Sequence, residues 1–283
     1  EFVSGKRQVP LETYFIESRS AAMVQTSPEG RELCNSMHFL GGFGIRQIHG
    51  LRVAYLSGHY DPKVYNSPDA MEEAGPAFVG AAYTPRAIKA LCRLARESDG
   101  GKQIDVLLTA EWPARVEERV LEAEKPKHPD GLQINWQEAC VQPIAELCAA
   151  LEPRYHAFGN NDIAYQRPPF QTLGSGHVCR CIALGKVGSK GKGRTWIHGL
   201  SLSPAAGMPE AALMQRPENT SPCPFAPSTQ SDAGGQNGGV KRAADELEEQ
   251  DDSAQIVPDQ VFLSKLPPNI EERRIQAAFK QVG

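Results

Sequence analysis

The side chains with the most chemical potential in this 283-residue chain stand together in one stretch, Pro153-Arg154-Tyr155-His156-Ala157-Phe158-Gly159-Asn160-Asn161-Asp162, continuing through Ile163-Ala164-Tyr165-Gln166-Arg167-Pro168-Pro169-Phe170. An imidazole, two carboxamides, a carboxylate and two guanidiniums follow a helix-like segment and sit inside a short apolar run. Loops positioned by rigid elements are where metal-binding, acid–base and anion-binding groups are displayed. The stretch is therefore the candidate site of the chain.

Elsewhere the signals are weaker. His59-Tyr60-Asp61 has metal-ligand residue types but no further His or carboxylate cluster at useful spacing, and reads as a solvated loop. Gly41-Gly42-Phe43-Gly44 lacks the strand-then-helix setting of a dinucleotide fingerprint and reads as a hairpin or turn. The basic run Gly185-Lys186-Val187-Gly188-Ser189-Lys190-Gly191-Lys192-Gly193-Arg194 lacks the Walker register and is followed by an apparent strand, so it reads as a hairpin tip in preference to a phosphate-touching loop. His177 and His198 fall in strand-like runs. The chain has no Gly-x-Ser-x-Gly elbow, and no Cys–His pairing stands out.

Composition bounds the setting. An apolar content of 40% can build a sizeable core, and a formal net charge of -4 gives no global attraction to nucleic acid, so such contact has to come from a local patch. Seven scattered Cys without a Cys-x-x-Cys pair suit a reducing compartment and no zinc site. No 18-residue apolar run is present, so no membrane span is expected. The chain begins at Glu1 without Met and stops at Gly283 just past a helix-like segment; the expectation is a fragment cut at both ends.

The positioning elements follow from periodicity. Strands are expected over 11–16, 50–58, 105–109, 178–184 and 195–202, and a surface loop over 60–83. Pro85 opens a helix whose Ile88, Leu91, Cys92 and Ala95 share a face. Residues 115–130 are a charged excursion. A helix over 135–151 buries Ala139, Cys140, Ile144, Leu147, Cys148 and Leu151, with Pro143 as its start or a kink; Cys140 and Cys148 are read as small core residues. The fold class is α/β.

Four motifs in order then carry a resemblance: Leu107-Leu108-Thr109-Ala110-Glu111-Trp112-Pro113, Pro153-Arg154-Tyr155-His156, Tyr165-Gln166-Arg167-Pro168-Pro169-Phe170, and the basic run leading to Trp196-Ile197-His198-Gly199-Leu200-Ser201. Together they resemble the amino-terminal domain of the CwfJ-type (Cwf19-like) splicing-associated proteins, relatives of the lariat debranching enzyme, over about residues 9–225. The resemblance implies a layered metallophosphoesterase-like sandwich over 1–225 whose amino-terminal strand, with its Gly-Asp-type signature, is missing. In such enzymes metals are held by Asp and His on loops after strands, ending in Gly-His-x-His. Laid on that element, Gly159 keeps the turn while Asn160 and Asp162 stand at the ligand positions, and a neutral amide is a poor substitute for imidazole. Ala110 and Glu111 stand near the place of another ligand His. The implied domain has no catalytic residue, no metal and no cofactor of its own, and offers Arg154, His156 and Arg167 as candidate partner or RNA contacts.

Residues 226–257 form a Ser-, Gly- and Gln-rich, then acidic, stretch read as a disordered linker. Residues 258–283 resemble the first strand and first helix of a ferredoxin-like RNA recognition motif (RRM), with Phe262 at the base-stacking position and Lys265 where its signature prefers Asn. The resemblance thus implies a nuclear pre-mRNA splicing and intron-lariat turnover factor that binds RNA through a complete RRM, with the spliceosome and the lariat debranching enzyme as partners. The alternative is an active metal-dependent phosphodiesterase or nuclease, in which Asp162, His156 and carboxylates from the missing strand rebuild one metal site.

Overall fold

Short apolar runs separated by helical segments build a parallel sheet with crossover helices packed on it, and that is the arrangement found. The computed structural model describes residues 6, 8–72, 74–98 and 103–226. In it Leu51–Leu56, Val106–Thr109, Tyr155–Phe158 and Val178–Ala183 lie side by side in chain order, all parallel. Helices Pro85–Glu97 and Gln142–Leu151 make the first two crossovers and pack against each other. Strand Phe43–Ile48 closes one edge antiparallel to Leu51–Leu56 through a turn at His49 and Gly50, both at positive φ. A separate small sheet pairs Thr13–Phe15 parallel to Met37–Phe39, which in turn pairs antiparallel with Arg31–Cys34. The chain is thus mixed α/β with several sheets, as its pattern implies.

Proline placement explains both crossover helices. Pro85 follows the buried Thr84 and occupies the first turn, where its missing N–H costs nothing. Pro143 likewise starts Gln142–Leu151 and does not kink it. The expected single helix over 135–151 is two pieces: Trp136–Ala139 stops because Cys140–Val141 runs extended to pair with Trp112–Pro113. Cys140 and Cys148 both lie in the core, where burial pushes the Cys140 thiol up to about 12.

Two further expectations are corrected. Residues 60–83 are not a plain surface loop: they hold helices Pro62–Tyr65 and Pro68–Met71 and the hairpin Phe78–Val79 with Ala82–Tyr83, and Tyr83 is fully buried against Tyr60 and Tyr65. Residues 195–202 form no strand. The reason is edge occupancy. Val178–Ala183 already pairs with Tyr155–Phe158 on one side and with Tyr165–Gln166 and Phe170–Gln171 on the other, leaving no ladder for a returning strand.

The starts of the parallel strands are tied together by one carboxylate. Asp105, 2% exposed, accepts from the Arg52 N–H at 2.9 Å, from Arg154 Nη1 at 2.8 Å and from the Ala205 N–H at 2.9 Å. Arg154 also donates to the Ser203 carbonyl at 2.7 Å. Replacing Asp105 with Asn leaves the Arg154 guanidinium partly buried without its counter-charge, and we expect the unfolding free energy in urea to fall by about 3 kcal/mol. An unchanged midpoint would show that the strut is dispensable.

Candidate functional site

In sheets of this kind, sites form outside the carboxyl ends of the parallel strands. There the chain has an open cleft of about 680 Å3, walled by Thr109, Phe158, Asn160, Asp162, Lys186 and Trp196 and closed by Tyr14 and Phe15 of the small sheet. The opening stretch of the sequence thus does reach a cleft, but its members divide between the cleft and the core.

Period-two alternation decides the division. In Tyr155–Phe158, His156 and Phe158 point into the core and Tyr155 and Ala157 do not. His156 is fully buried, with its ring edge-on to Phe158 at 4.8 Å. The Thr109 hydroxyl donates to the Glu111 carbonyl at 3.0 Å, so His156 Nε2 is the donor in the 2.9 Å contact with Thr109 Oγ1. Arg167 is also buried, and its Nε and Nη2 donate to the Val116 and Glu118 carbonyls at 2.8 and 2.9 Å, pinning the 115–130 excursion to the sheet edge. A further Nη2 bond to Ser221 Oγ and the Phe170 ring 5.2 Å away complete its surroundings. Of the three expected contact residues, then, Arg154 is spent on Asp105, His156 on the core and Arg167 on backbone carbonyls. His156 and Arg167 are buried, whereas Arg154 is half-buried and also lines a surface cavity with Tyr155 and Arg180.

Beyond the strand end the chain turns at Asn160 and Asp162, at φ 82° and 51°. Gly159, expected to make the turn, is not at positive φ, and a Cβ there would touch only the Leu184 carbonyl at 3.7 Å. Asn161 Nδ2 fixes the loop to the Ala139 carbonyl at 2.9 Å. The Asp162 carboxylate faces the basic run: it accepts from the Lys186 N–H at 2.7 Å, from Ser189 Oγ at 3.1 Å and from Arg194 Nη1. The Lys186 N–H above all holds its carboxyl below the ordinary 3.8. Arg194 reaches on to Asp130. No local pattern announces this anchor, because its partners lie 24 to 32 residues away.

The neighbouring strand ends carry a second fastening. Glu111 accepts the Tyr60 N–H on both oxygens at 3.0 Å and the Tyr83 hydroxyl at 2.9 Å, while burial pushes its carboxyl up. His59 Nδ1 lies 3.0 Å from the Ser18 carbonyl, and Asp61 caps Pro62–Tyr65. The expected solvated loop is therefore a packed junction. Phe262, Lys265 and the 258–283 segment lie outside the described residues, as does all of the 226–257 stretch except Ala226.

These donors do not fit a metal centre. Asn160 is exposed, Asp162 already serves three donors, and His156 is turned into the core. Among the described residues no group of three His, Cys, Asp or Glu side chains is disposed to hold a metal ion.

No family model matches the chain. It is similar to a zinc finger CCCH domain-containing protein 64 of Arabidopsis thaliana, 31% identical over 80% of this chain and 36% of that protein. A zinc finger CCCH domain-containing protein 59 of Oryza sativa subsp. japonica is 31% identical over 80% and 35%. A CWF19-like protein 1 of Homo sapiens is 25% identical over 81% of this chain and 40% of its own length. The chain thus spans two fifths or less of each of these three relatives.

If Asp162 anchors the basic run, Asp162→Asn speeds tryptic cleavage at Lys186, Lys190 and Lys192 while the melting temperature stays within about 2 °C of wild type, as expected of a local opening. The lowered pKa fixes the sign with pH: the anchor is present above 3.8 and is lost as pH falls through the depressed value. An NMR titration of the Lys186 amide should therefore show its midpoint below 3.8.

Proposed function

We infer that this chain is a Cwf19-like protein that serves pre-mRNA splicing and intron-lariat turnover in the nucleus without catalysing a reaction of its own. Similarity to CWF19-like and CCCH zinc finger proteins over about four fifths of the chain supports the family. The observation that carries the non-catalytic reading is the use of Asp162: at the position where the resemblance puts a metal ligand, its carboxylate is consumed by Lys186, Ser189 and Arg194. In this reading the domain is metallophosphoesterase-like in ancestry and acts as a docking module for the lariat debranching machinery. Arg154, His156 and Arg167 hold the module's shape. RNA is gripped by a complete RRM, of which the 258–283 segment is the start, with Phe262 stacking on a base and Lys265 beside it.

Metal analysis and a cleavage assay on the purified chain test this directly. The expected result is no stoichiometric manganese, iron or zinc and no phosphodiester cleavage. Bound metal at one equivalent or more, with cleavage abolished by Asp162→Ala, would establish the enzymatic alternative in its place. For the RNA-binding part, Phe262→Ala in a protein carrying the complete RRM should weaken ultraviolet crosslinking to RNA roughly tenfold, the scale of one lost stacking contact.

A further inference from the structure

We propose that the run Gly185–Arg194 and the cleft beside it form a second nucleic-acid site, which takes an unpaired strand: Lys186, Lys190 and Lys192 neutralise its phosphates and Trp196 stacks on a base. That the strand is RNA rests on the reading given under Proposed function; the site itself rests on the geometry.

The charge comes first. The run holds four basic residues and no acidic one. Of these, Arg194 pairs with both nearby carboxylates, Asp162 and Asp130, and its single charge balances one of the two. Lys186, Lys190 and Lys192 are exposed, and of the three Lys186 lies near enough for its charge to act on Asp162. Four basic residues against these two carboxylates leave a local excess of two positive charges, which gives a chain of net charge -4 the local positive patch that its composition leaves open.

The run is also held in shape. Its ends meet where the Gly185 N–H donates to the Thr195 carbonyl at 2.8 Å, an approach so close that a Cβ on Gly185 would lie 2.9 Å from the Arg194 carbonyl oxygen. Inside it, Ser189 N–H donates to the Lys186 carbonyl at 3.0 Å and Arg194 N–H to the Gly191 carbonyl at 3.2 Å. With Asp162 gripping it from the sheet side, the ammoniums are displayed from a preformed loop, and less ordering entropy is lost on binding.

The cleft supplies what a phosphate patch alone lacks. Its wall combines the half-buried Trp196 with Tyr14 and Phe15, and the exposed Asn160 also lines it. Ring faces next to ammoniums suit an unpaired strand, whose bases have free faces and edges, and do not suit a duplex, whose bases are stacked inside. An acidic peptide would use the lysines and leave the rings idle.

The test is fluorescence anisotropy of a 5′-labelled oligouridylate of about 12 nucleotides with the full chain, over a salt series and on a Phe262→Ala background so that the tail is silent. The triple variant Lys186→Ala, Lys190→Ala, Lys192→Ala should lower the slope of log Kd against log salt by about 2, since each phosphate contact to a single strand adds about 0.7. Trp196→Ala should weaken binding roughly tenfold with the slope unchanged, and Trp196→Phe should retain most of it, with circular dichroism confirming that both fold. A control that removes the same charge elsewhere, Lys63→Ala, Lys89→Ala, Arg93→Ala, should change little. Absence of binding, equal losses in the two triple variants, or displacement by polyglutamate as effective as by unlabelled oligonucleotide would each overturn the site. Those outcomes leave the non-catalytic reading untouched, whereas bound metal with cleavage would overturn that reading and leave the site standing.

Discussion

The sheet depends on a carboxylate at its closed end. Four parallel strands start next to one another, and the peptide groups that precede them have to be satisfied away from water. Asp105 does this for three segments at once through Arg52, Arg154 and Ala205, and its charge is balanced by the Arg154 guanidinium. Because Asp105 and Arg154 immediately precede the second and third strands, fixing them sets the register in which Val53, Val106, Tyr155 and Arg180 lie abreast. Everything at the opposite end inherits its position from this register.

At that opposite end a second carboxylate does a different task with similar chemistry. Asp162 fastens no strand; it holds a basic run against the cleft. The two non-glycine residues at positive φ beside it, Asn160 and Asp162, occupy a conformation that ordinary side chains seldom adopt, and such strain persists where surrounding contacts over-determine it. Here the bonds to Lys186, Ser189 and Arg194 supply those contacts. The same atoms explain why a metal is poorly served: a carboxylate with three hydrogen-bond donors has little left to offer a cation, and its neighbour Asn160 offers only a neutral oxygen.

Much of the fold was legible in the sequence because the signals were local. Buried parallel strands read as short apolar runs, Pro85 marked a helix start, and Ile88 and Leu91 marked its inner face. Failures came where a distant segment decided the outcome. Residues 195–202 alternate like a strand, yet Tyr165–Gln166 and Phe170–Gln171 had already taken the edge of Val178–Ala183. Residues 135–151 have a helical period, yet pairing with Trp112–Pro113 draws Cys140–Val141 out of it. The candidate site shows the same divide. The stretch 153–170 did mark the important ground, but residue type could not separate His156, turned inward by strand alternation, from Asn160, turned outward by the loop. Nor could it show that Asp162 and the basic run, dismissed separately as a lost ligand and a hairpin tip, are one construction.

The central claim is that Asp162 is a loop anchor and not a metal ligand, and paramagnetic NMR tests it most directly. Manganese(II) titrated into the isotope-labelled chain broadens amides close to any bound ion. The account predicts no selective, saturable broadening at Thr109 and Asn160 to Asp162. Saturable broadening confined to those residues, accompanied by release of the Lys186 amide from its hydrogen bond, would contradict it.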